Sequence, residues 1–190
     1  MNVITISGKA ESGKDTTARI LKEQLEDMGY SVLITHYADL LKYICKQFFD
    51  WDGKKNEEGR TLLQKVGTET IRTKEPDYWV NFIKSILHLF KDEWDFVLIP
   101  DTRFPNEIDS MKEEFDVISL YINRPNFENH LTDEQRKHIS ETALDEYEFD
   151  FKIINPGSLG GLTEEVATFI SYMLENNTKK SLIDRIKEKL

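Results

Sequence analysis

The sequence has 190 residues, 35 acidic and 25 basic, for a formal net charge of −10, with 39% hydrophobic and 32% charged residues. These figures suit one globular domain, fall short of two enzyme domains, and argue against sequence-independent binding to nucleic acid, which takes a basic surface. A single cysteine excludes an intrachain disulfide, no apolar run approaches the ~18 residues of a membrane span, and no basic leader precedes the first strand, so a cytoplasmic protein without a membrane partner is expected.

In chain order, "NVITIS" (2–7) is a short apolar run ending in a glycine turn, the form of a buried parallel strand. Residues 14–28 follow as a helix with Ala18, Leu21, Leu25 and Met28 on one side and Gly29 closing it. "SVLITHY" (31–37) reads as the second strand. In "LLKYICKQFF", Leu41, Ile44, Cys45 and Phe48 share a helical face, which makes Cys45 a buried inert thiol rather than a nucleophile. "DFVLIPD" (95–101), "VISLYIN" (117–123) and "FKIIN" (151–155) supply three more strands. Helical spacing of Trp79, Phe82, Ile83, Ile86 and Phe90, of Ile108, Met111 and Phe115, and of Leu162, Val166, Phe169, Ile170 and Met173 supports the helices between and after them.

Five buried strands separated by helices predict an α/β domain with a five-stranded parallel sheet covered on both faces. Two stretches depart from the alternation: 38–92, with several helices, and the polar and aromatic 124–150. Insertions at the carboxyl ends of strands in such sheets are where ligand-binding lobes grow. The tail 178–190 reads as a short amphipathic helix (Leu182, Ile183, Ile186, Leu190), a packing element or the face of a homodimer.

Residues 8–14, "GKAESGK", have the GxxxxGK pattern of a phosphate-binding loop, with a buried strand before and a helix after. That context aims backbone N–H groups and the positive end of the helix at an anion, while Lys14 reaches the outer phosphates. Gly8 and Gly13 permit the tight backbone, and Ala10 and Ser12 lie between them. Asp15 stands where the pattern normally has Ser or Thr. It either holds Mg²⁺, directly or through water, or complements the helix N-terminus, and Thr16 is placed to bond the α-phosphate. The second half of such a site is an acid at the end of another central strand. "DFVLIPDTRFPNE" offers Asp101 as a metal or metal-water ligand, with Arg103 two residues on for bidentate contact to phosphate. Asp101 also suits a cap for the helix near Pro105.

Taken together, "SGKDT" (12–16), "YADLLK" (37–42), "GRTLLQKVGTETIR" (59–72) with "DYWV" (77–80), "DTRFPNE" (101–107), "RP" (124–125), and "HISE" (138–141) before "FKIINPGSLGGL" (151–162) resemble the deoxynucleoside monophosphate kinases. The motifs fall in family order along nearly the whole chain. The resemblance implies a P-loop kinase of one domain, 1–190, with an acceptor-nucleotide lobe over about 38–92 and a lid over about 124–142. It implies ATP and Mg²⁺ as cofactors, small nucleotides as partners, and phosphorylation of a (deoxy)nucleoside monophosphate to the diphosphate. Lys42, Arg60, Gln64, Arg72, Trp79, Arg103, Glu107, His138 and Glu141 then belong to the acceptor side or the lid that covers it. Lys14, Asp101, Arg103, Arg124 and Arg136 become the groups that neutralise the transferring phosphate. Asn155, Pro156 and Gly157 resemble the loop that lines the adenine of ATP.

Several of these residues have plainer readings. Trp79 sits on the stripe of Phe82 and Ile83 and suits core packing, and Arg60, Gln64 and Arg136 fit solvated helix faces. His138 and Glu141, three apart on a possible helix face, read as a lid-fixing or substrate-contacting pair. Two other functions remain open: a P-loop kinase for another small phosphorylated acceptor, resembling phosphomevalonate or dephospho-coenzyme A kinases, and a non-catalytic nucleotide sensor.

Overall fold

A computed structural model describes the backbone of residues 1–187 and the side chains of residues 1–176. Five parallel strands, β1 (Asn2–Ser7), β2 (Val32–Ile34), β3 (Phe96–Ile99), β4 (Asp116–Asn123) and β5 (Phe151–Ile154), form one sheet in the order β2-β3-β1-β4-β5. The strand with the glycine turn is therefore central, flanked by β3 and β4 in register from Asn2 onward. A ligand site is expected outside the carboxyl ends of strands at such a reversal of strand order.

Period-two alternation splits the core into two layers. Ile4, Ile6, Phe96, Leu98 and Ile122 face α1 (Lys14–Asp27) and α8 (Leu159–Lys187), where Leu21, Leu25, Val166 and Phe169 meet them. Val3, Val97 and Ile99 face the opposite way, toward α2 (Ala38–Phe48), α4 (Tyr78–Leu89) and α5 (Pro105–Lys112), which bring Cys45, Ile83, Leu87 and Met111. Cys45 is fully buried there, and burial raises its thiol pKa, as an inert core residue requires.

The 38–92 stretch is α2, then α3 (Glu57–Gln64), then a π-helical segment (Lys65–Arg72), then α4. The π-helical run is absent from any reading of sequence period. Within it a Cβ on Gly67 would lie 2.5 Å from Leu41 Cδ2, so the backbone approaches α2 at a residue without a side chain. The wider turn leaves the Gly67 carbonyl to accept the Trp79 indole N–H at 3.1 Å. Two short helices, α6 (Asp133–Lys137) and α7 (Ile139–Thr142), occupy the other departure from alternation. The tail is no separate helix, because α8 runs unbroken to Lys187. The side chains of the apolar stripe Leu182, Ile183, Ile186 and Leu190 lie outside those the structure describes. No helix among the described residues is long and apolar enough to cross a membrane.

Candidate active site

The loop between β1 and α1 is held in shape by close contacts that exclude side chains at two glycines. Gly8 has φ +145° and a Cβ there would lie 2.5 Å from the Ile122 carbonyl oxygen. Gly13 has φ +104° and its Cβ would lie 2.5 Å from Asn155 Nδ2. That same amide donates to the Ser12 carbonyl at 2.8 Å, and Asn155 Oδ1 accepts from Gly157 N–H at 2.9 Å, so the turn after β5 braces the loop. Lys14 is buried, its ammonium donating to the carbonyls of Gly8 at 2.8 Å and Lys9 at 2.7 Å. Burial, reinforced by the charge of Arg103, lowers its pKa to about 7.

A cavity of about 360 Å³ opens on one side of Lys14, between the loop, the start of α2, the π-helical segment and α7. Its rim is cationic, but most of those cations already have a carboxylate. Lys42 Nζ lies 2.7 Å from Asp39, Arg103 lies 2.7 Å from Glu141, and Arg60 lies 3.4 Å from Glu11. Arg72 is the most committed. It pairs with buried Glu107 at 2.5 Å, donates to the Pro76 carbonyl at 3.1 Å, and stacks 4.0 Å from the Phe104 ring centre. Glu107 in turn accepts the backbone N–H groups of Arg103 and Phe104, which fixes the strand-end turn that carries Asp101 and Arg103. Trp79, Leu41, Leu63, Gly67 and Gln64 give the far wall, apolar with one amide.

A second cavity of about 410 Å³ lies on the other flank of the loop, lined by Thr16, Arg124, Asn155, Gly157 and Leu162. Both cavities reach Glu11, Lys14 and Asp15. Arg124 donates to the Glu11 carbonyl at 3.3 Å and stacks on Phe127 at 3.8 Å. Asp101 takes the backbone N–H groups of Tyr37 at 3.0 Å and Ala38 at 2.9 Å, so it caps the entry to α2 rather than the helix at Pro105. Asp15 is largely exposed and lies 3.3 Å from His36 Nε2; this contact lowers the Asp15 pKa and raises that of His36.

The structure thus gathers Ala10, Lys14, Asp15, Lys42, Arg60, Gln64, Arg72, Trp79, Asp101, Arg103, Glu107 and Glu141 around one cavity. Others fall elsewhere. Arg136 turns its guanidinium to Asn129 and Asp133 and lines neither of the two cavities. His138 is separated from Glu141 in role, because the chain is extended at His138 (φ −61°, ψ 144°) and its ring caps α7 by accepting from Ser140 N–H. Pro156 packs near Gly161 beside the second cavity. Sequence reasoning overlooked Glu11, His36 and Lys55, which line the first cavity, and Lys9, which is paired to Asp145 and donates to the Glu141 carbonyl at 2.6 Å. For Glu11 and Lys9 the signal was present, since both sit inside the loop motif.

Residues 42–166 match the family model described as deoxynucleotide monophosphate kinase. The chain belongs to that family. A protein of Enterobacteria phage T4 named deoxynucleotide monophosphate kinase is 30% identical over 116 residues, 60% of this chain and 46% of that protein. An uncharacterized protein, ORF77, of Ictalurid herpesvirus 1 (strain Auburn) is 32% identical over 113 residues, 58% of this chain and 47% of that protein. The chain therefore spans under half the length of the curated relatives it matches. Among solved structures, shikimate kinase from Aquifex aeolicus vf5 superimposes with TM-score 0.51 at 16% identity, covering 94% of this chain and 98% of that one. A variant of the Mycobacterium tuberculosis APS kinase CysC does so with TM-score 0.50 at 12% identity, covering 90% and 96%. Both likenesses show the fold. The family match begins at Lys42, so the loop between β1 and α1 lies outside it.

Proposed function

We propose that the chain transfers the γ-phosphoryl group of ATP to the 5′-phosphate of a deoxynucleoside monophosphate. The observation that carries this reading is the meeting of two cavities at Lys14, one braced by Asn155 and the other rimmed by Arg60, Arg72 and Arg103. Two anionic substrates approaching one buried ammonium from opposite sides is the arrangement in-line transfer needs. An acceptor phosphate oxygen bonds to the γ-phosphorus as the bond to the β–γ bridging oxygen breaks, and ADP leaves. The protein's share is positioning and charge neutralisation.

In this reading the loop amides and Lys14 hold the β- and γ-phosphates, and Arg124, Asn155 and Gly157 flank the adenosine. Arg103, Arg60 and Lys42 receive the acceptor phosphate, and Gln64 with the Leu41–Trp79 wall faces its base. The acceptor lobe spans about 38–92 and the lid about 124–142, whose closure excludes water that would otherwise take the phosphoryl group. Among the described residues no group of three or more His, Cys, Asp or Glu side chains is placed to hold a metal. The donor set instead fits Mg²⁺ arriving with the nucleotide, since that ion takes one or two carboxylates plus phosphate oxygens. Asp15, exposed beside Lys14, and Asp101, each of whose oxygens accepts a single backbone N–H, are the residues that would hold it or its waters. It would screen charge between the two substrates.

The test is Mg²⁺-dependent ADP formation with each of the four common deoxynucleoside monophosphates, their ribose counterparts, and phosphomevalonate. Turnover with one or a few deoxynucleotides supports the proposal. Turnover with phosphomevalonate alone, or ATP binding without turnover on any acceptor, replaces it.

A further inference from the structure

Glu11 is an anomaly in its setting. It is a carboxylate at the apex of a loop built for polyanions, where a negative charge repels the ligand. It is also a non-glycine residue at φ +61°, a left-handed conformation that costs strain. Glycine would relieve both costs at once.

What Glu11 does with its side chain offsets them. Its Oε2 accepts from the His130 ring Nδ1 at 2.7 Å and from the His130 backbone N–H at 3.3 Å. Its Oε1 accepts from Arg60 Nη2 at 3.4 Å, and its backbone carbonyl from Arg124 Nη1 at 3.3 Å. Those partners belong to two separate segments: α3, which carries Arg60, and the stretch between β4 and α6, which carries Arg124 and His130. The His130 contact also lowers the Glu11 pKa, which keeps the carboxylate ionised near neutral pH. Glu11 is partly buried, its side chain 28% exposed, whereas the His130 side chain is exposed.

We propose that Glu11 is a positioning residue that ties occupancy of the phosphate loop to the placement of Arg60 and of the segment around His130. This rests on the kinase reading above. The carboxylate already accepts from Arg60 and His130; a polyphosphate in the loop repels it toward those same partners, so donor binding favours the arrangement in which Arg60 and the segment around His130 are held at the loop. By linkage, the acceptor then binds more tightly once the nucleotide is in place.

The experiment has two arms on the full chain. The first, without nucleotide, compares amide hydrogen exchange of wild type and Glu11→Gln. Faster exchange at His130 and its neighbours in the variant is expected; equal exchange overturns the tether. The second compares KM values. Glu11→Gln should raise the acceptor KM about tenfold, the scale of one charge-assisted hydrogen bond, with the ATP KM unchanged or lower because a repulsive charge is gone. Adding Arg60→Ala to Glu11→Gln should add little further. Equal rises in both KM values, or additive effects of the two substitutions, overturn the proposal. Glu11→Gly, which removes the strained side chain, should show the same KM split with no loss of Tm, and a loss of Tm with no split assigns Glu11 to structure alone. Absence of turnover by wild type on every deoxynucleoside monophosphate removes the kinase reading, while the exchange arm still decides the tether.

Discussion

The two flanks of the phosphate loop are built from different chemistry. On the Asn155 side the loop is braced by neutral hydrogen bonds, Asn155 to the Ser12 carbonyl at 2.8 Å and Gly157 N–H to Asn155 at 2.9 Å. On the opposite side, cation after cation is met by an acid: Arg60 by Glu11, Arg72 by Glu107, Arg103 by Glu141, Lys42 by Asp39. The first flank is braced by backbone and amide contacts that no ion pair among the described residues interrupts. In the proposed reading, a phosphate entering the second competes with Glu141 and Asp39 for Arg103 and Lys42, whereas Glu11 keeps Arg60 in place. An overall charge of −10 is thus compatible with the proposed binding of two anions, because a local cluster of cations can hold an anion within an acidic protein.

Four experiments sharpen or break this contrast. The largest effect is expected at the residue both flanks share. Lys14→Ala should lower kcat by about a thousandfold or more, the scale of losing a preorganised charge in phosphoryl transfer. The fold should survive, because the substitution removes a buried ammonium held by only two carbonyls; a collapse of Tm would make Lys14 structural instead. Next, Arg72→Ala strands the buried Glu107 carboxylate, and removing one member of a buried pair costs about 3–5 kcal/mol. Chemical denaturation should show that loss, and a variant as stable as wild type would mean Glu107 is rescued by the Arg103 and Phe104 amides alone.

Arg103→Ala should raise the acceptor KM by about thirtyfold, the scale of a charged hydrogen bond to phosphate, and leave the ATP KM nearly unchanged. An unaltered acceptor KM removes Arg103 from that flank. The smallest effect is the most diagnostic. Burial lowers the Lys14 pKa to about 7, and a bound polyphosphate would raise it toward the ordinary 10.5. The complex therefore holds more protons than the free protein above about pH 7, so ATP binding takes up protons there. Affinity should fall as pH rises through that window, by up to about tenfold per unit. Calorimetry in buffers of different ionisation enthalpy reads the uptake directly, and proton release would reverse the assignment of burial as the cause.

Much of the fold and part of the site were legible in the sequence for one physical reason: both depend on short-range pattern. Strand, glycine turn and helix are contiguous from Asn2 to Asp27, and the loop's anion-binding geometry follows from that contiguity. Each of the five strands expected from apolar runs is present, though β2 covers only Val32–Ile34 of the run 31–37. The chain leaves the sheet early there, and the backbone N–H groups of Tyr37 and Ala38 turn instead to Asp101. The pair His138 and Glu141 failed as a helix-face pair because spacing of three means proximity only if the helix continues, and it breaks at His138. The place of Glu11 inside the loop motif was visible, but its partners were not, because Arg60 and His130 are distant in sequence.

The sequence alone determined that five buried strands and their covering helices would form, and that a glycine-bounded loop at the end of the first strand would lead into a helix that begins with Lys14. Those outcomes rest on apolar period and on glycines at two positions, which act over a few residues. Tertiary structure alone decided the strand order that places Asp101 beside the loop, the π-helical turn over Gly67, and the match of each acid to its cation. These depend on which side chains meet across elements far apart in the chain, where packing volume and desolvated charge, rather than local propensity, select the arrangement.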